Sequence, residues 1–253
     1  MAPRLPTKDD FPSSCVVSIT PPASLPLSYC VILLHGLGDK IAPFTALAQR
    51  LNLPRAAVIA IQAPTPMPFD LGGYHWGDDI VFNKDPTASS ASNNNDDDDV
   101  LSPDAEFNRA RKFIWNQVLK DTIVAKCGFK LESEVIIWGY AQGGMVALDI
   151  AATQSNLAAV ISVGGWIPSF TAPRDIISPP RTSKILITGG DDHSKISKER
   201  IQAAEQIWKE CVRVQYPRMK SDLMPRNRDE MAPILRFLLR ILIPDELKKQ
   251  GLS

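Results

Sequence analysis

Short apolar runs alternate along this chain with longer segments whose apolar residues recur at helical spacing. The runs are rich in β-branched residues, which is typical of buried strands, and they predict strands at 16–19, 29–34, 57–61, 135–138, 158–163, 184–188 and 212–216. The other segments predict helices at 43–51, 104–126, 145–150, 197–211 and 231–243, with Ser197 and Asn227 as N-terminal caps of the last two. Strands that alternate with helices imply a mostly parallel sheet with helices on both faces. We therefore predict the α/β fold class and a single domain over residues 1–253.

Two segments depart from this pattern. Residues 1–12 predict a loose leader, and residues 84–103 form a polar, acidic stretch of low complexity that predicts a solvated, disordered insertion. The aspartates of the insertion lack the spacing of a calcium loop, so a solubilising role is the better interpretation.

Composition and charge exclude several classes of protein. The 253 residues carry a formal net charge of +0, which argues against nucleic-acid binding and against electrostatic attachment to membranes. No apolar run approaches the roughly 20 residues that span a bilayer, and the first ten residues lack the apolar core of a signal peptide. The four cysteines, Cys15, Cys30, Cys127 and Cys211, are scattered, as expected for reduced thiols in a cytoplasmic or nuclear protein. No His or Cys cluster has metal-ligand spacing, so we expect neither a metal nor another cofactor.

The stretch 135–148 carries the most specific pattern. An apolar run ends at Gly139, a buried helix is predicted from Met145, and G-Y-A-Q-G lies between them at 139–143. This is the G-x-S-x-G turn between a strand and a helix, with alanine in the position of the nucleophilic serine. The glycines suit a sharp turn, because side chains there would collide as strand and helix close.

Two other motifs accompany this turn. H-G-L-G-D at 35–39 follows an early strand, and T-G-G-D-D at 188–192 ends a later one. In order and spacing, the three motifs resemble the α/β-hydrolase fold, and more closely its acyl-protein thioesterase / phospholipase–carboxylesterase family. The resemblance covers residues 29 to 243 and implies hydrolysis of acyl esters or thioesters.

The resemblance also implies roles for individual residues. The nucleophile position falls on Ala141, and the triad acid on Asp192, with Asp191 as an alternative register. The backbone N–H groups of Leu37 and Gln142 would form the oxyanion hole.

The triad histidine of the family would fall on Ser221 or Lys220, and no histidine follows His193. Alanine has no lone pair to attack a carbonyl, and without an imidazole nothing activates a serine or a water. In subtilisin, loss of either the serine or the histidine lowers turnover by about 10⁶-fold. Because an engineered Ser→Ala change would not explain the missing histidine, we favour natural loss of the triad.

Five further residues fit the binding site of such a protein: His35, Gly36, His75, Trp76 and Trp166. We expect His35 to shape the oxyanion loop by hydrogen bonding, and His75 to contact a ligand or support the structure. Either His75 or His193 has the chemistry to activate a water. Trp76 and Trp166 fit core packing as well as pocket lining.

These observations leave three hypotheses. The favoured one is a catalytically inactive homologue that binds an acyl ester or thioester ligand, or a protein partner. The second is an active ester or thioester hydrolase with a non-standard nucleophile or an activated water. The third is an interaction module whose acidic insertion contacts a partner protein.

Overall fold

The computed structural model describes residues 2–69, 71–82, 101–171, 176, 180–190, 194–217, 219 and 221–244. Asp191, Asp192, His193 and Lys220 therefore lie outside the described residues, as do residues 84–100 of the acidic insertion.

A seven-stranded sheet forms the centre of the described structure. Its strands, in spatial order, are β1 (Val17–Thr20), β3 (Ala56–Ile61), β2 (Tyr29–Leu34), β8 (Val135–Tyr140), β9 (Ala159–Val163), β10 (Arg181–Gly189) and β11 (Trp208–Gln215). All neighbouring strands are parallel except β1, which pairs antiparallel with β3 at one edge. Two small antiparallel pairs complete the strands: β4 (Thr65–Pro66) with β5 (Tyr74–His75), and β6 (Val81–Phe82) with β7 (Leu101–Ser102).

Helices connect the strands and cover the sheet. They are α1 (Ile41–Leu51), α2 (Asn108–Lys112), a π-helix (Phe113–Val124), α3 (Leu131–Glu134), α4 (Gln142–Thr153), α5 (Lys198–Ile207) and α6 (Arg228–Leu242), after a short 3₁₀ helix at Lys8–Asp10. Ser197 and Asn227 cap α5 and α6 through their side-chain oxygens, as predicted. No helix within the described ranges is long and apolar enough to cross a bilayer.

Alternation of side chains along the central strands explains their continuous apolar runs. In β2, Ile32 and Leu34 enter the core on the α4 side of the sheet, whereas Val31 and Leu33 enter the core beneath α1 and α6. Buried parallel strands need apolar residues on both faces, and the sequence therefore shows no polar alternation there.

Some predicted boundaries were wrong. The helix predicted over 104–126 begins at Asn108 and continues from Phe113 as a π-helix with hydrogen bonds between residues five apart, such as Cys127 N–H to the Thr122 carbonyl. Ile114, Val118 and Ile123 are buried as predicted, whereas Val124 is 37% exposed, and the apolar spacing did not distinguish a π-helix from an α-helix. Cys211, expected at the end of a helix, lies instead in β11, because α5 ends at Ile207.

Residues 2–12 pack against the body of the protein, contrary to the loose leader that we predicted. Arg4 forms an ion pair with Asp10 at 2.5 Å, and its backbone N–H donates to the Cys127 carbonyl at 3.0 Å. Phe11 is 5% exposed within the core on the α4 side. Burial of this ring and the ion pair hold the segment in place.

The end of the acidic insertion also differs from the prediction. Leu101 and Ser102 form β7 rather than disordered chain, and the Pro103 carbonyl accepts a hydrogen bond from the Gln142 side chain at 3.3 Å. Pairing with β6 and this contact fix residues 101–103.

Candidate active site at the turn between β8 and α4

Ala141 stands at the turn between β8 and α4 in a strained conformation. Its φ of 45° and ψ of −113° lie in a region that residues with a side chain rarely occupy. Its N–H donates to the Val163 carbonyl at 2.7 Å, and its carbonyl accepts from Met145 N–H at 3.1 Å. The turn therefore keeps the backbone shape of a nucleophile elbow while its side chain is a methyl group.

The glycines around the turn allow close backbone contacts. A Cβ atom on Gly139 would lie 2.2 Å from the Gly143 carbonyl, and one on Gly143 would lie 2.4 Å from the Leu34 carbonyl. A Cβ on Gly165, in the loop after β9, would approach the Ala141 carbonyl to 2.6 Å. These glycines are needed for packing, whether or not the site is catalytic.

The two predicted oxyanion amides lie at the same edge of the sheet, one in a loop and one at the start of a helix. Gln142 is the first residue of α4, so its N–H has no partner within the helix. Leu37 lies in the loop after β2, where Gly36 N–H donates to Asp39 at 3.1 Å and Gly38 N–H donates to the Tyr74 carbonyl at 2.9 Å. Hydrogen bonds of the neighbouring residues Gly36 and Gly38 thus hold the loop that carries Leu37.

His35 links the loops that follow β2 and β3. Its Nε2 accepts from Ala63 N–H at 2.9 Å, and its Nδ1 donates to the Gly36 carbonyl at 2.8 Å, which assigns the neutral tautomer protonated on Nδ1. Burial lowers the pKa of His35, although the Gly36 carbonyl and Asp39 act in the opposite direction. With both ring nitrogens engaged, His35 has no free lone pair to act as a base.

Trp76 joins His35 to the elbow. Its indole N–H donates to the His35 carbonyl at 2.9 Å, and its backbone N–H donates to the Gln142 side-chain oxygen at 2.7 Å. The His35 and Trp76 rings are buried, and their centroids lie 5.4 Å apart. Trp76 therefore connects the segments that carry the two predicted oxyanion amides.

His75 and Trp166 are also buried, at 3% exposure each. Burial lowers the pKa of His75, with a further contribution from the positive charge of Arg109, while the Gly77 carbonyl and Asp79 act in the opposite direction. The His75 Nδ1 has no hydrogen bond of normal geometry within the described structure. None of the predicted aromatic residues offers a large exposed surface to a ligand, whereas Leu37 and Ala141 are partly exposed.

Near Ser221, the neighbouring carboxylate organises the loop after β10. Asp222 accepts hydrogen bonds from Gly190 N–H at 2.9 Å, from the Ser194 hydroxyl at 2.7 Å and from Lys195 N–H at 2.7 Å. A Cβ atom on Gly190 would lie 2.5 Å from the Ser221 carbonyl. The segments predicted to carry the triad acid and the triad histidine are therefore in direct contact.

Sequence reasoning missed Arg200, whose guanidinium lies 3.8 Å from the centroid of the Trp166 ring. Burial lowers the pKa of Arg200, against the favourable effect of Asp104 and Asp222. One feature of the sequence could have indicated an unusual role for this arginine. Arg200 is the third residue after the Ser197 cap, and a cation in the first turn of a helix opposes the helix dipole.

No group of three or more His, Cys, Asp or Glu side chains suited to a metal ion occurs among the residues that the structure describes.

Sequence comparison relates this chain to known hydrolases. Residues 17–242 match the family described as Phospholipase/Carboxylesterase. An uncharacterized hydrolase of Schizosaccharomyces pombe is 30% identical over 151 residues, which are 56% of this chain and 56% of that protein. An uncharacterized hydrolase of Mycosarcoma maydis is 34% identical over 145 residues, which are 54% of this chain and 49% of that protein. The matched region thus spans about half the length of either relative.

Comparison of structures identifies the fold as that of α/β-hydrolases. Esterase PE8 superposes with a TM-score of 0.61 at 20% identity, covering 90% of this chain and 99% of the esterase. Acyl-protein thioesterase 2 of Zea mays superposes with a TM-score of 0.59 at 18% identity, with the same coverage. A phospholipase/carboxylesterase of Dyadobacter fermentans gives a TM-score of 0.60 at 16% identity, covering 90% of this chain and 97% of the other.

Proposed function

Because this chain belongs to the phospholipase/carboxylesterase family of α/β-hydrolases, we propose that it binds an acyl ester or thioester and does not hydrolyse it. The observation that carries the proposal is Ala141, which occupies the strained elbow position without a hydroxyl group. Family membership supports an ester as the ligand. The missing nucleophile supports binding without turnover.

The described histidines offer no substitute for the triad base. His35 uses both ring nitrogens in hydrogen bonds to the backbone. His75 is 3% exposed, so its ring has little access to a bound ester or to an attacking water. Ser221, one of the two residues predicted at the position of the family's histidine, cannot accept and return a proton near neutral pH as an imidazole does.

The predicted oxyanion amides support retention of a binding site. They depend on hydrogen bonds of Trp76, His35 and Gln142. None of these contacts involves position 141 or 221, so loss of the triad leaves them unaffected. In subtilisin, oxyanion donors and binding alone retain about 10³–10⁴-fold rate enhancement after the triad is removed.

The test is hydrolysis of short- and long-chain p-nitrophenyl esters and acyl thioesters. We expect no turnover by the parent protein above a matched Ala141→Gly control, and measurable turnover by the Ala141→Ser/Ser221→His double variant. The Ala141→Ser single variant should remain far slower than the double variant, because its hydroxyl lacks a base. Covalent labelling of the double variant by a fluorophosphonate, located by mass spectrometry in the peptide that contains position 141, would identify the new nucleophile.

Ordinary enzymatic turnover by the parent would overturn the proposal and favour the second hypothesis, an active hydrolase that uses an activated water. His75 and His193 would then be replaced first. Binding is measured separately, by chemical-shift changes on titration with the neutral diester dimethyl suberate. Absence of binding, together with an inactive double variant, would refute an acyl-ester ligand and favour a protein partner.

A further inference from the structure

Arg200 lies at the border of the candidate site. Its guanidinium stacks on Trp166, in the loop after β9, and one of its terminal nitrogens donates to the Lys195 carbonyl. Trp166 follows Gly165, whose Cα packs against the Ala141 carbonyl. The stack and the Lys195 carbonyl contact therefore hold the cation against the loop that touches the backbone of the elbow.

This cation has no carboxylate partner within 4.0 Å among the described residues. The two aspartates whose charges reach it are engaged elsewhere. Asp104 accepts from the Trp166 indole at 3.3 Å and from Ser169 N–H at 3.0 Å. Asp222 accepts the three hydrogen bonds from Gly190, Ser194 and Lys195.

The surroundings of the half-buried Arg200 favour an additional negative charge beside its guanidinium. Burial removes water from the guanidinium, and the first turn of α5 adds the positive end of the helix dipole. Stacking on an aromatic ring orients the planar fork of an arginine and leaves its edge N–H groups for an anion. Carboxylates and phosphates are the groups that such a fork binds with two parallel hydrogen bonds.

We propose that Arg200 binds a carboxylate or phosphate group carried by the ligand of this site. The inference rests on the proposed function, because it specifies which acyl ligands the site accepts. It makes Arg200 a specificity-determining residue, and it selects acyl compounds that carry a second, anionic group over neutral ones.

The test compares matched ligands by titration calorimetry. Methyl hydrogen suberate and dimethyl suberate differ only in whether the far end is a carboxylate or an ester, and methyl 7-(phosphonooxy)heptanoate carries a phosphate at that end. We expect at least one of the two anionic ligands to bind about tenfold tighter than dimethyl suberate, as for a charge-assisted hydrogen bond. The tighter of the two anions identifies the natural group.

Two variants separate recognition from structural support. Arg200→Gln should remove the preference and leave the affinity for dimethyl suberate within about twofold, whereas Arg200→Lys should keep part of it. The control is Arg213→Gln, because Arg213 also donates to a carbonyl of this loop, that of Ile196, but does not stack on Trp166. We expect Arg213→Gln to keep the full preference.

Equal affinity of the parent for charged and neutral ligands would overturn the inference and leave the proposed function standing. An equal loss of both affinities in Arg200→Gln would also overturn it, since that result indicates structural support alone. Failure of every ligand to bind the parent would refute this inference and the proposed acyl-ester ligand together.

Discussion

At the scale of single residues, Ala141 shows that the elbow conformation does not depend on a serine. A φ of 45° is costly for alanine by about 1–3 kcal/mol, and the surrounding structure must impose it. The close contacts of Gly139 and Gly143 identify what imposes it, because the strand and the helix meet there at backbone distance. Packing, rather than chemistry, maintains this backbone.

Ala141→Gly should therefore leave the free energy of unfolding unchanged or raise it by up to about 1 kcal/mol, because glycine tolerates the positive φ. The matched control is Ala147→Gly in the buried helix α4, which should lower that free energy by about 1 kcal/mol or more. Urea unfolding followed by circular dichroism measures both. Equal destabilisation by the two variants would show that Ala141 is not strained.

At the scale of elements, one hydrogen-bond network connects the loops after β2 and β3 with the start of α4. Trp76 donates to His35 through its indole and to Gln142 through its backbone, and His35 accepts from Ala63. A motif such as H-G-L-G-D predicts one loop, whereas the network spans four separate segments of the chain.

Trp76→Phe should lower the free energy of unfolding by about 1–2 kcal/mol more than Trp138→Phe does, because it also leaves the buried His35 carbonyl without its donor. Both tryptophans are 1% exposed, and the Trp138 indole N–H has no hydrogen bond in the described structure. The two variants thus remove similar volume and differ by one hydrogen bond. Equal costs in chemical denaturation would argue against a supporting role of the Trp76 indole.

The same scale shows what the sequence could predict. Strands β2, β3, β8 and β9 were predicted to within two residues, because buried parallel strands give uninterrupted apolar runs. The π-helix and the position of Cys211 were not predicted, since their apolar spacing fits more than one secondary structure. Arg200 and Asp222 were missed because their roles depend on contacts between loops that the chain order does not reveal.

At the scale of the whole molecule, the N-terminal segment is part of the folded body. Phe11 enters the core, and the ion pair between Arg4 and Asp10 lies beside the end of the π-helix. Polar composition predicted a loose leader, but burial of Phe11 and the Arg4–Asp10 ion pair hold this segment against the body of the protein.

Phe11→Ala should lower the free energy of unfolding by about 3 kcal/mol, as expected for a buried ring. Phe69→Ala, at a ring that is 87% exposed, should change it by less than about 0.5 kcal/mol. Thermal and urea unfolding of both variants test the difference. A Phe11→Ala protein as stable as Phe69→Ala would restore the loose-leader interpretation.

The stability of the whole protein should fall as the pH decreases from about 7.5 to about 5. Burial holds the pKa of His35 and of His75 below the ordinary value of 6.5, so below that pH the unfolded chain binds more protons than the folded one. The contribution of these two histidines to the free energy of unfolding is complete above pH 6.5. It is lost as the pH falls towards their pKa values in the folded protein. For His35 the slope reaches at most about 1.4 kcal/mol per pH unit.

Urea unfolding at several pH values measures this slope, and His35→Gln should be less stable at about pH 7.5 but should show a smaller decrease towards about pH 5. An unchanged slope in the variant would exclude His35 as a source of the pH dependence.

The glycine contacts at the turn also bear on how such proteins are classified. A Cβ atom added to Gly139, Gly143 or Gly165 would lie within 2.6 Å of backbone atoms, which would have to move. Packing therefore restricts the glycines, whereas the residue between Gly139 and Gly143 is restricted by its positive φ, which alanine adopts here. In this chain the glycine pattern of a hydrolase elbow surrounds an alanine, which has no hydroxyl group. A search based on those glycines identifies the family of a protein. The residue at the centre of the turn must be examined separately to determine whether the nucleophile is present.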